Sequence, residues 1–362
     1  MRFKLFCHSL VSDWNHGNAH FLRGIVRELG RAGHKVDVLE PEGAWSRANL
    51  LRDAGPEAIS EFHRVFAGLD SRTYDPGSME VDRELADADV VLVHDWNEPA
   101  LVQAIGRHHQ RHGGYVLLFY DAHHRAMTAP DQVSAFDLSG YDAVLAFGAA
   151  IRDLYLEHGW ASHAYIWHEA ADTELFRPLN GAAKDGELVW IGNWGDGERA
   201  AELHEFLLEP ARELGLTGRV HGVRYPARAR QAIAAAGLSY RGWLANHRAP
   251  GVFARHRLTV HVPRRAYVRR IPGIPTIRVF EALACGIPLV SAPWTDSESL
   301  FCPGQDYLVA RNRAEMAAHM RTPLEDDAAA AQLAGNGLKT IRERHTCAHR
   351  VDELLAIVEE HR

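Results

Sequence analysis

The 362-residue sequence has few cysteines, no basic excess and no long apolar run, and each absence excludes a class of protein. Its four cysteines show no CxxC spacing and no disulfide framework, which fits a reducing compartment. The net charge of -7 argues against a general nucleic-acid surface. No stretch approaches the roughly 18 apolar residues that span a bilayer, and the start is too short and too polar for a signal sequence. We therefore expect a cytoplasmic protein, with peripheral membrane contact left open.

Strand and helix patterns alternate along the chain. Short apolar runs such as residues 35–40 and 89–94 alternate with amphipathic segments such as residues 99–112. A linker rich in Gly, Ala, Lys and Asp around residues 180–186 precedes a second series of the same kind. Such alternation predicts parallel sheets covered by helices on both faces. We predict two doubly wound α/β domains at residues 1–175 and 185–345 and a final helix at 346–362, with ligands bound in a cleft at the carboxyl ends of the strands.

The segment 275–290, PTIRVFEALACGIPLV, is the most informative part of the sequence. Pro275 is expected to start a helix whose first residues, Thr276 and Ile277, offer backbone N–H groups and a partial positive charge to a diphosphate. Arg278 can contact phosphate, and Glu281 can accept hydrogen bonds from ribose hydroxyls. The alternative is a core helix with one surface glutamate.

A basic segment, Arg264 and Arg265 followed by Arg269 and Arg270, comes directly after a predicted strand at residues 258–262. We expect it to form a loop beside the cleft. Arginine suits bidentate phosphate binding, and Arg265 is the first choice for that contact. The alternatives are a solvated basic loop and a contact with acidic lipid.

The first predicted strand leads into the turn His16-Gly17-Asn18. Gly17 permits close approach of the backbone, and the following helix N-terminus favours an anion. We expect His16 and Asn18 to shape the acceptor or sugar pocket.

Two further strands are followed by histidine and aspartate, namely His94-Asp95 and Asp121 with His123. Together with the histidines of the first turn they could form a metal cluster. However, 23 histidines make chance clustering easy, and no metal-ligand spacing in this set lies on one predicted element. We therefore expect no metal.

The letters RVFEALACGIPLV resemble the donor-site signature of the group 1 retaining glycosyltransferases, and most of all the CgeB-like (spore maturation protein-like) branch. Residues 170–178, 188–194 and 240–243 are similar to further segments of that family. The resemblance implies a GT-B fold, which consists of two Rossmann-like domains facing each other across a cleft. It also implies that the C-terminal helix packs back on the N-terminal domain.

The resemblance also implies roles for single residues. In the family, the glutamate at the position of Glu281 binds the nucleotide ribose, and the histidine at the position of His123 approaches the donor sugar. His94-Asp95 resembles a further family element. Many members carry Glu-x7-Glu, but this sequence has Gly273 at the first position. The backbone N–H groups of Gly273 and Ile274 could face the sugar instead.

These observations predict transfer of a hexosyl group from a nucleoside-diphosphate sugar, such as a UDP- or GDP-sugar, in bacterial glycan biosynthesis. The donor base is expected to contact loops around residues 193–194, Arg224 and Trp243. Asn193 is thus included among the donor-binding residues. The acceptor stays open among a glycan, a lipid-linked glycan, a protein and a small molecule. Retention is what the resemblance implies. Because arginines and a helix dipole can stabilise the leaving group, we expect no cofactor and no metal.

If the reaction inverts instead, a carboxylate base is needed, and Asp121 and Asp13 are the reserve candidates. Three other functions remain open from the sequence. They are a nucleotide-sugar epimerase of the same fold, a non-catalytic nucleotide-sugar-binding protein and a His/Asp metal hydrolase.

Overall fold

The chain folds into two units, and the computed structural model describes residues 1–195 and 197–362. The first unit combines Met1–Glu169 with the C-terminal residues Cys347–Arg362, and the second unit runs from Ala170 to Thr346. The sequence analysis places these divisions at residues 175, 185 and 346. Residues 170–184 therefore belong to the second unit, and the chain returns to the first unit at its end.

Seven parallel strands form the sheet of the first unit. They are β1 (Arg2–Phe6), β2 (Lys35–Pro41), β3 (Arg72–Tyr74), β4 (Val90–His94), β5 (Val116–Asp121), β6 (Ala143–Ala146) and β7 (Ala164–Ile166). They lie in the order β3-β2-β1-β4-β5-β6-β7, and all neighbours are parallel. All five residues of β4 are buried, as a strand covered on both faces requires. The order reverses between β1 and β4, which makes the carboxyl ends of these strands the switch point where such sheets bind ligands.

Eight helices connect these strands. They are α1 (Asn18–Arg31), α2 (Trp45–Ala54), α3 (Glu57–Val65), α4 (Val81–Leu85), α5 (Pro99–His112), α6 (Arg125–Thr128), α7 (Pro130–Val133) and α8 (Ala149–Glu157). In α1, the apolar face formed by Phe21, Leu22, Ile25 and Leu29 is buried. Gly33 follows this helix with a φ of +82°, the left-handed conformation in which helices commonly end.

The second unit repeats this architecture with six parallel strands. They are β8 (Gly186–Ile191), β9 (Gly218–His221), β10 (Leu238–Tyr240), β11 (His256–His261), β12 (Leu289–Ser291) and β13 (Leu308–Val309). Their order is β10-β9-β8-β11-β12-β13. The switch point therefore lies between β8 and β11, at the carboxyl ends of these two strands.

In the described part of the second unit, eight helices flank the sheet. They are α9 (Ala200–Leu203), α10 (Glu209–Glu213), α11 (Ala227–Ala235), α12 (Ala249–Ala254), α13 (Arg265–Arg269), α14 (Ile277–Ala284), α15 (Arg313–Glu325) and α16 (Asp327–Arg344). A π-helical turn, His204–Leu208, joins α9 to α10, and a 3₁₀ turn, Asn246–Arg248, precedes α12. The basic segment that was predicted to be a loop contains α13, so that expectation is wrong in this respect.

The last helix, α17 (Cys347–Glu360), packs on α1 inside the first unit. The fully buried Trp167 donates from its indole Nε1 to the carbonyl of Arg350, at 2.8 Å, which fixes α17 to the end of the sheet. Among the described residues, none of the helices combines the length and the apolar character that a membrane span requires.

Candidate functional site

Glu281 lies on α14 with its side chain completely buried. One carboxylate oxygen accepts a hydrogen bond from Asn246 Nδ2 at 2.8 Å, and the other forms an ion pair with Arg278 one turn earlier. The alternative of a surface glutamate is therefore wrong. A buried carboxylate needs such partners because removing a charge from water is costly. The Arg278 side chain remains 30% exposed, so its guanidinium can also reach a ligand.

The N-terminus of α14 has no side-chain cap. Thr276 stands at the N-cap position in an extended conformation, one residue after Pro275, which therefore precedes the helix. The Thr276 hydroxyl lies 3.2 Å from His261 Nε2, and His261 Nδ1 lies 2.9 Å from the Ser291 hydroxyl. Burial, and then the nearby Arg199, lower the pKa of His261 to about 3, so the ring is neutral. The Thr276 side chain does not cap the N–H groups of this helix, so they are suited to bind an anion, and Ile277 packs into the core.

Arg199 is a buried cation that the sequence analysis missed. Its guanidinium donates to the carbonyls of Val262, at 3.1 Å, and Asn193, at 2.5 Å, and lies over the Trp190 ring. These two carbonyls follow β11 and β8, so Arg199 sits at the switch point of the second sheet. Burial, and then the neighbouring Arg264, lower the pKa of Arg199 to about 10, which still leaves it charged at neutral pH. The sequence signal that could have identified Arg199 is its position after β8 and a Gly-rich turn, where anion-binding residues are common.

Arg264 and Arg265 of the basic segment both have carboxylate partners. Arg264 pairs with Glu198 at 3.1 Å. Arg265 donates to both oxygens of Glu202, at 2.5 and 3.0 Å, from the first position of α13. A phosphate at Arg265 must therefore compete with Glu202 or share the guanidinium with it.

Gly273 has a φ of +88°, and its N–H donates to the Thr295 carbonyl at 2.7 Å. The expectation that this N–H faces a sugar is therefore wrong in this structure, while the role of Ile274, which is 2% exposed, stays a prediction. A Cβ atom at position 273 would lie 2.6 Å from Glu298 Oε1. The carboxylate that stands beside position 273 is thus that of Glu298.

A cavity of about 620 Å³ opens near the ends of β8 and β9. It is lined by Trp194, Gly197, Arg224, Tyr225, Pro226 and Arg228. Arg224 has a φ of +61°, an uncommon conformation for a residue with a side chain. The Asn193 side chain connects the loops that follow β8 and β9, because its Oδ1 accepts a hydrogen bond from the N–H of Val223 at 3.0 Å. Trp243 is half-buried after β10 and is not among the lining residues.

Three histidines cluster at the switch point of the first sheet. The ring centroid of His16 lies 5.4 Å from that of His8 and 6.2 Å from that of His94. Burial lowers the pKa of all three, that of His8 to about 4, so they are neutral at pH 7. His8 was expected to be a structural histidine and was not among the predicted site residues, although it lies two residues after the end of β1.

Asp95 and Asn18 are both held by other side chains. Asp95 is 2% exposed, and its Oδ2 lies 2.6 Å from a guanidinium nitrogen of Arg125. The Arg125 guanidinium also lies 4.2 Å from the centre of the Trp96 ring. Asn18 donates to the Tyr120 hydroxyl and to Glu169 Oε1, at 3.0 and 2.9 Å, which anchors the start of α1. Both residues therefore build the wall of this site.

Gly17 has an ordinary right-handed conformation, with a φ of -65°. This φ value does not by itself require glycine, and the predicted close approach of the backbone at Gly17 stays a prediction.

Asp121 lies beneath the loop that carries His123. It is 1% exposed and accepts from the N–H of His123 at 2.9 Å and from the Tyr155 hydroxyl at 2.8 Å. Burial, and then the nearby Asp95, raise the pKa of Asp121 to about 7. The His123 ring is half-buried, with its centroid 5.2 Å from that of Trp96. Asp121 thus positions the histidine loop and does not itself reach the surface.

A protein-family model matches part of the chain. Residues 199–356 match the family model described as glycosyl transferase-like. No curated protein sequence matches the chain. The matched region contains Arg199, Arg265 and the whole of α14, so it includes most of the candidate site in the second unit.

Solved structures match the chain over nearly its full length. HepE from Anabaena, in complex with UDP and glucose, superposes with a TM-score of 0.71 at 14% identity, covering 99% of both chains. The chain has the GT-B fold of glycosyltransferases. Sucrose-phosphate synthase from Thermosynechococcus elongatus gives a TM-score of 0.65 at 14% identity, covering 99% of this chain and 98% of that one. BGT of phage T4, in complex with its UDP-glucose substrate, gives 0.63 at 11% identity, covering 99% of both.

Two groups of predicted residues are thus brought together in this GT-B chain. In the second unit, residues 276–281 of α14 lie beside the switch point with Arg199. In the first unit, His16 lies beside His94, and Asp95 connects through Arg125 and Trp96 to His123. Arg224 lines the cavity near β9, and Glu281 is not among the residues that line this cavity.

Proposed function

We propose that this protein is a glycosyltransferase that transfers a hexosyl group from a nucleoside-diphosphate sugar, with retention and without a metal. The observation that carries the proposal is the buried carboxylate of Glu281, which binds Asn246 and Arg278. Glu281 lies on α14, and the uncapped N-terminus of this helix lies beside the switch point of the second sheet. A fixed carboxylate is suited to accept hydrogen bonds from the two ribose hydroxyls, and a helix N-terminus is suited to a diphosphate.

The diphosphate is bound by cations that are already in place. Arg278 reaches from α14, and Arg199 is fixed by the carbonyls of Val262 and Asn193. Arg265 can add a third positive charge if its guanidinium turns from Glu202. Negative charge on the phosphate increases as the sugar departs, so these prearranged charges stabilise the transition state more than the ground state. This arrangement supports leaving-group departure without a metal.

UDP is the first candidate for the nucleotide, because the similar structures of HepE and of BGT hold UDP or UDP-glucose. The cavity lined by Trp194, Arg224 and Tyr225 lies, like the switch point, at the carboxyl ends of the strands of the second sheet. It offers aromatic surface and hydrogen-bond donors. We assign the base to the neighbourhood of this cavity and Trp243.

Retention is supported by the state of the carboxylates in the first unit. Asp13 pairs with the buried Arg23 at 3.0 Å, Asp95 pairs with Arg125, and Asp121 lies beneath the surface. An inverting enzyme needs a base within reach of the acceptor hydroxyl. With these three carboxylates engaged, the leaving phosphate is the better proton acceptor, which corresponds to retention.

Thermal denaturation with nucleotides and nucleotide sugars tests the proposal. Because a ligand that binds only the folded state raises the melting temperature, we expect UDP and one UDP-sugar to stabilise the protein equally with and without EDTA. The Glu281→Gln variant should lose most of this shift while keeping its own melting temperature near that of the wild type. Absence of any shift with UDP, GDP, dTDP, CMP and ADP series would overturn the assignment.

A further inference from the structure

Three side chains with metal-binding atoms meet on the first unit, away from the switch point. They are Asp82 on α4 and His108 and His112 on α5, and their ligand atoms all lie within 4.8 Å of one another. The α4 helix ends shortly before β4 begins, and α5 ends shortly before β5 begins. The cluster therefore lies at the amino ends of these strands, whereas His94 and Asp121 lie at the carboxyl ends.

The helix geometry places the two histidines together. Residues four apart lie on the same face of an α-helix, and the ring centroids of His108 and His112 are 4.6 Å apart. This pair has the i, i+4 spacing of a chelating histidine pair. This pair was not among the predicted site residues, which were chosen at strand ends and in the first turn.

We propose that Asp82, His108 and His112 bind one divalent cation of the Zn²⁺ class. Two imidazole nitrogens and one carboxylate oxygen suit Zn²⁺ and its neighbours Co²⁺ and Ni²⁺, whereas Mg²⁺ and Ca²⁺ prefer oxygen ligands alone. Three protein ligands leave a fourth position for water. The site takes no part in glycosyl transfer, so it is independent of the proposed function.

The distances fit a shared cation better than a direct contact. His108 Nε2 lies 3.8 Å from Asp82 Oδ1, which is too long for a hydrogen bond. Two ligand atoms on a tetrahedral zinc ion, with bonds of about 2.0–2.2 Å, are separated by about 3.3–3.5 Å. The Asp82 side chain is 72% exposed and His112 is exposed, so both can move the remaining distance without disturbing the core.

The buried histidine is oriented from behind. His108 is 6% exposed, and its Nδ1 lies 2.9 Å from the Tyr115 hydroxyl. When Nδ1–H donates to that hydroxyl, Nε2 carries the lone pair and faces Asp82. A ring nitrogen held in this way is the usual support behind a metal-binding histidine. One fixed ligand and two mobile ones give a site that closes when the cation arrives.

Binding of the cation would connect the five-residue helix α4 to the long helix α5. Since the ligands converge only in the folded chain, the cation must raise the melting temperature.

Metal titration of the EDTA-treated full-length chain tests this inference. We expect one equivalent of Co²⁺ to give the visible absorption of a four-coordinate site, Zn²⁺ to displace it, and Mg²⁺ to have no effect. In isothermal titration, Asp82→Asn and His112→Ala should each weaken Zn²⁺ binding at least tenfold, and both variants should fold because the two positions are exposed.

The matched control is His63→Ala, which removes an exposed histidine from α3 in the same unit. It should bind Zn²⁺ as the wild type does. The proposal is overturned if the wild type binds no Zn²⁺, if it binds Mg²⁺ equally well, or if the two ligand variants keep wild-type affinity.

Discussion

The carboxylate of Glu298 lies against the α-carbon of Gly273, in the space that a side chain at position 273 would need. An ideal Cβ on Gly273 would lie 2.6 Å from Glu298 Oε1 and 2.7 Å from the Ser297 hydroxyl. Contacts this short force neighbouring atoms to move. The glycosyltransferase signature that this sequence resembles often has a glutamate at the position of Gly273, and in this chain Glu298 brings a carboxylate next to that position from a different loop.

We expect Gly273→Ala to destabilise the protein by about 1–3 kcal/mol, because a φ of +88° strains any residue with a Cβ and the new methyl group meets Glu298. Urea denaturation measures the change. Gly30→Ala is the matched control, since Gly30 is helical and a Cβ there meets nothing within 4 Å. Alanine at position 30 should be neutral or stabilising. Equal stabilities of the two variants would contradict this account of Gly273.

The second prediction concerns the chemistry of Glu298. If its carboxylate serves the donor sugar, Glu298→Gln should lower kcat about tenfold or more, because a charge that faces the reacting sugar is lost. The Kd of UDP should not change, since the nucleotide is held elsewhere. Steady-state kinetics and nucleotide titration separate the two effects. Wild-type turnover in a folded Glu298→Gln variant would remove Glu298 from the reaction.

The third prediction uses the pair between Arg265 and Glu202. Arg265→Ala should slow turnover with little change in melting temperature, because an exposed ion pair contributes little to folding. Glu202→Gln should keep wild-type turnover or exceed it, because it releases the guanidinium to the phosphate. If both variants lose activity to the same extent, the pair is needed only as a structural contact, and the phosphate role passes to Arg199 or Arg278.

Long periodic elements of the fold were predictable from local pattern. The sequence predicts a helix over residues 99–112, and α5 has these bounds. Strands β3 and β13 were not predicted, because strands of three and two residues exist only through pairing with a neighbour. The π-helical turn His204–Leu208, which joins α9 to α10, also had no local signal in the sequence.

The candidate site divides in the same way. Glu281 and Arg278 were predictable because one helix carries both. Arg199 was missed because its role depends on carbonyls at Asn193 and Val262, and the latter is 63 positions away in the chain. The contact of Glu298 with Gly273 likewise joins two loops. Tertiary proximity of this kind leaves no periodicity in the sequence.

The fourth prediction tests nucleotide binding at Glu281. Glu281→Gln should weaken UDP binding by roughly 1.5–3 kcal/mol, which is about 10–150-fold in Kd, because a charge-assisted hydrogen bond to ribose becomes a neutral one. Isothermal titration measures the change. Glu353→Gln is the matched control, since Glu353 forms the same i, i+3 pair with Arg350 on α17. Equal UDP affinity in both variants would exclude Glu281 from the nucleotide site.

The fifth prediction is a pH dependence that originates at Asp121. Its pKa is about 7 in the folded protein, because of burial and the nearby Asp95, and about 3.9 in an unfolded chain. The folded state therefore binds more protons between about pH 4 and pH 7. The stability that protonated Asp121 contributes is complete below about pH 4 and is lost as the pH rises through about 7.

Asparagine resembles the protonated acid, so Asp121→Asn should gain free energy of unfolding relative to the wild type as the pH rises from 5 to 8. Urea denaturation at each pH measures the difference in free energy of unfolding between Asp121→Asn and the wild type. The effects of the neutral histidines cancel in this difference, because both proteins contain them. Asp137→Asn is the control of opposite sign, because hydrogen bonds from Ser139 lower the pKa of the exposed Asp137 carboxyl. That variant should lose stability relative to the wild type as the pH rises through the acidic range in which Asp137 ionises. If the difference between Asp121→Asn and the wild type is constant from pH 5 to 8, Asp121 is ionised throughout, and its burial is compensated by the hydrogen bonds from Tyr155 and His123.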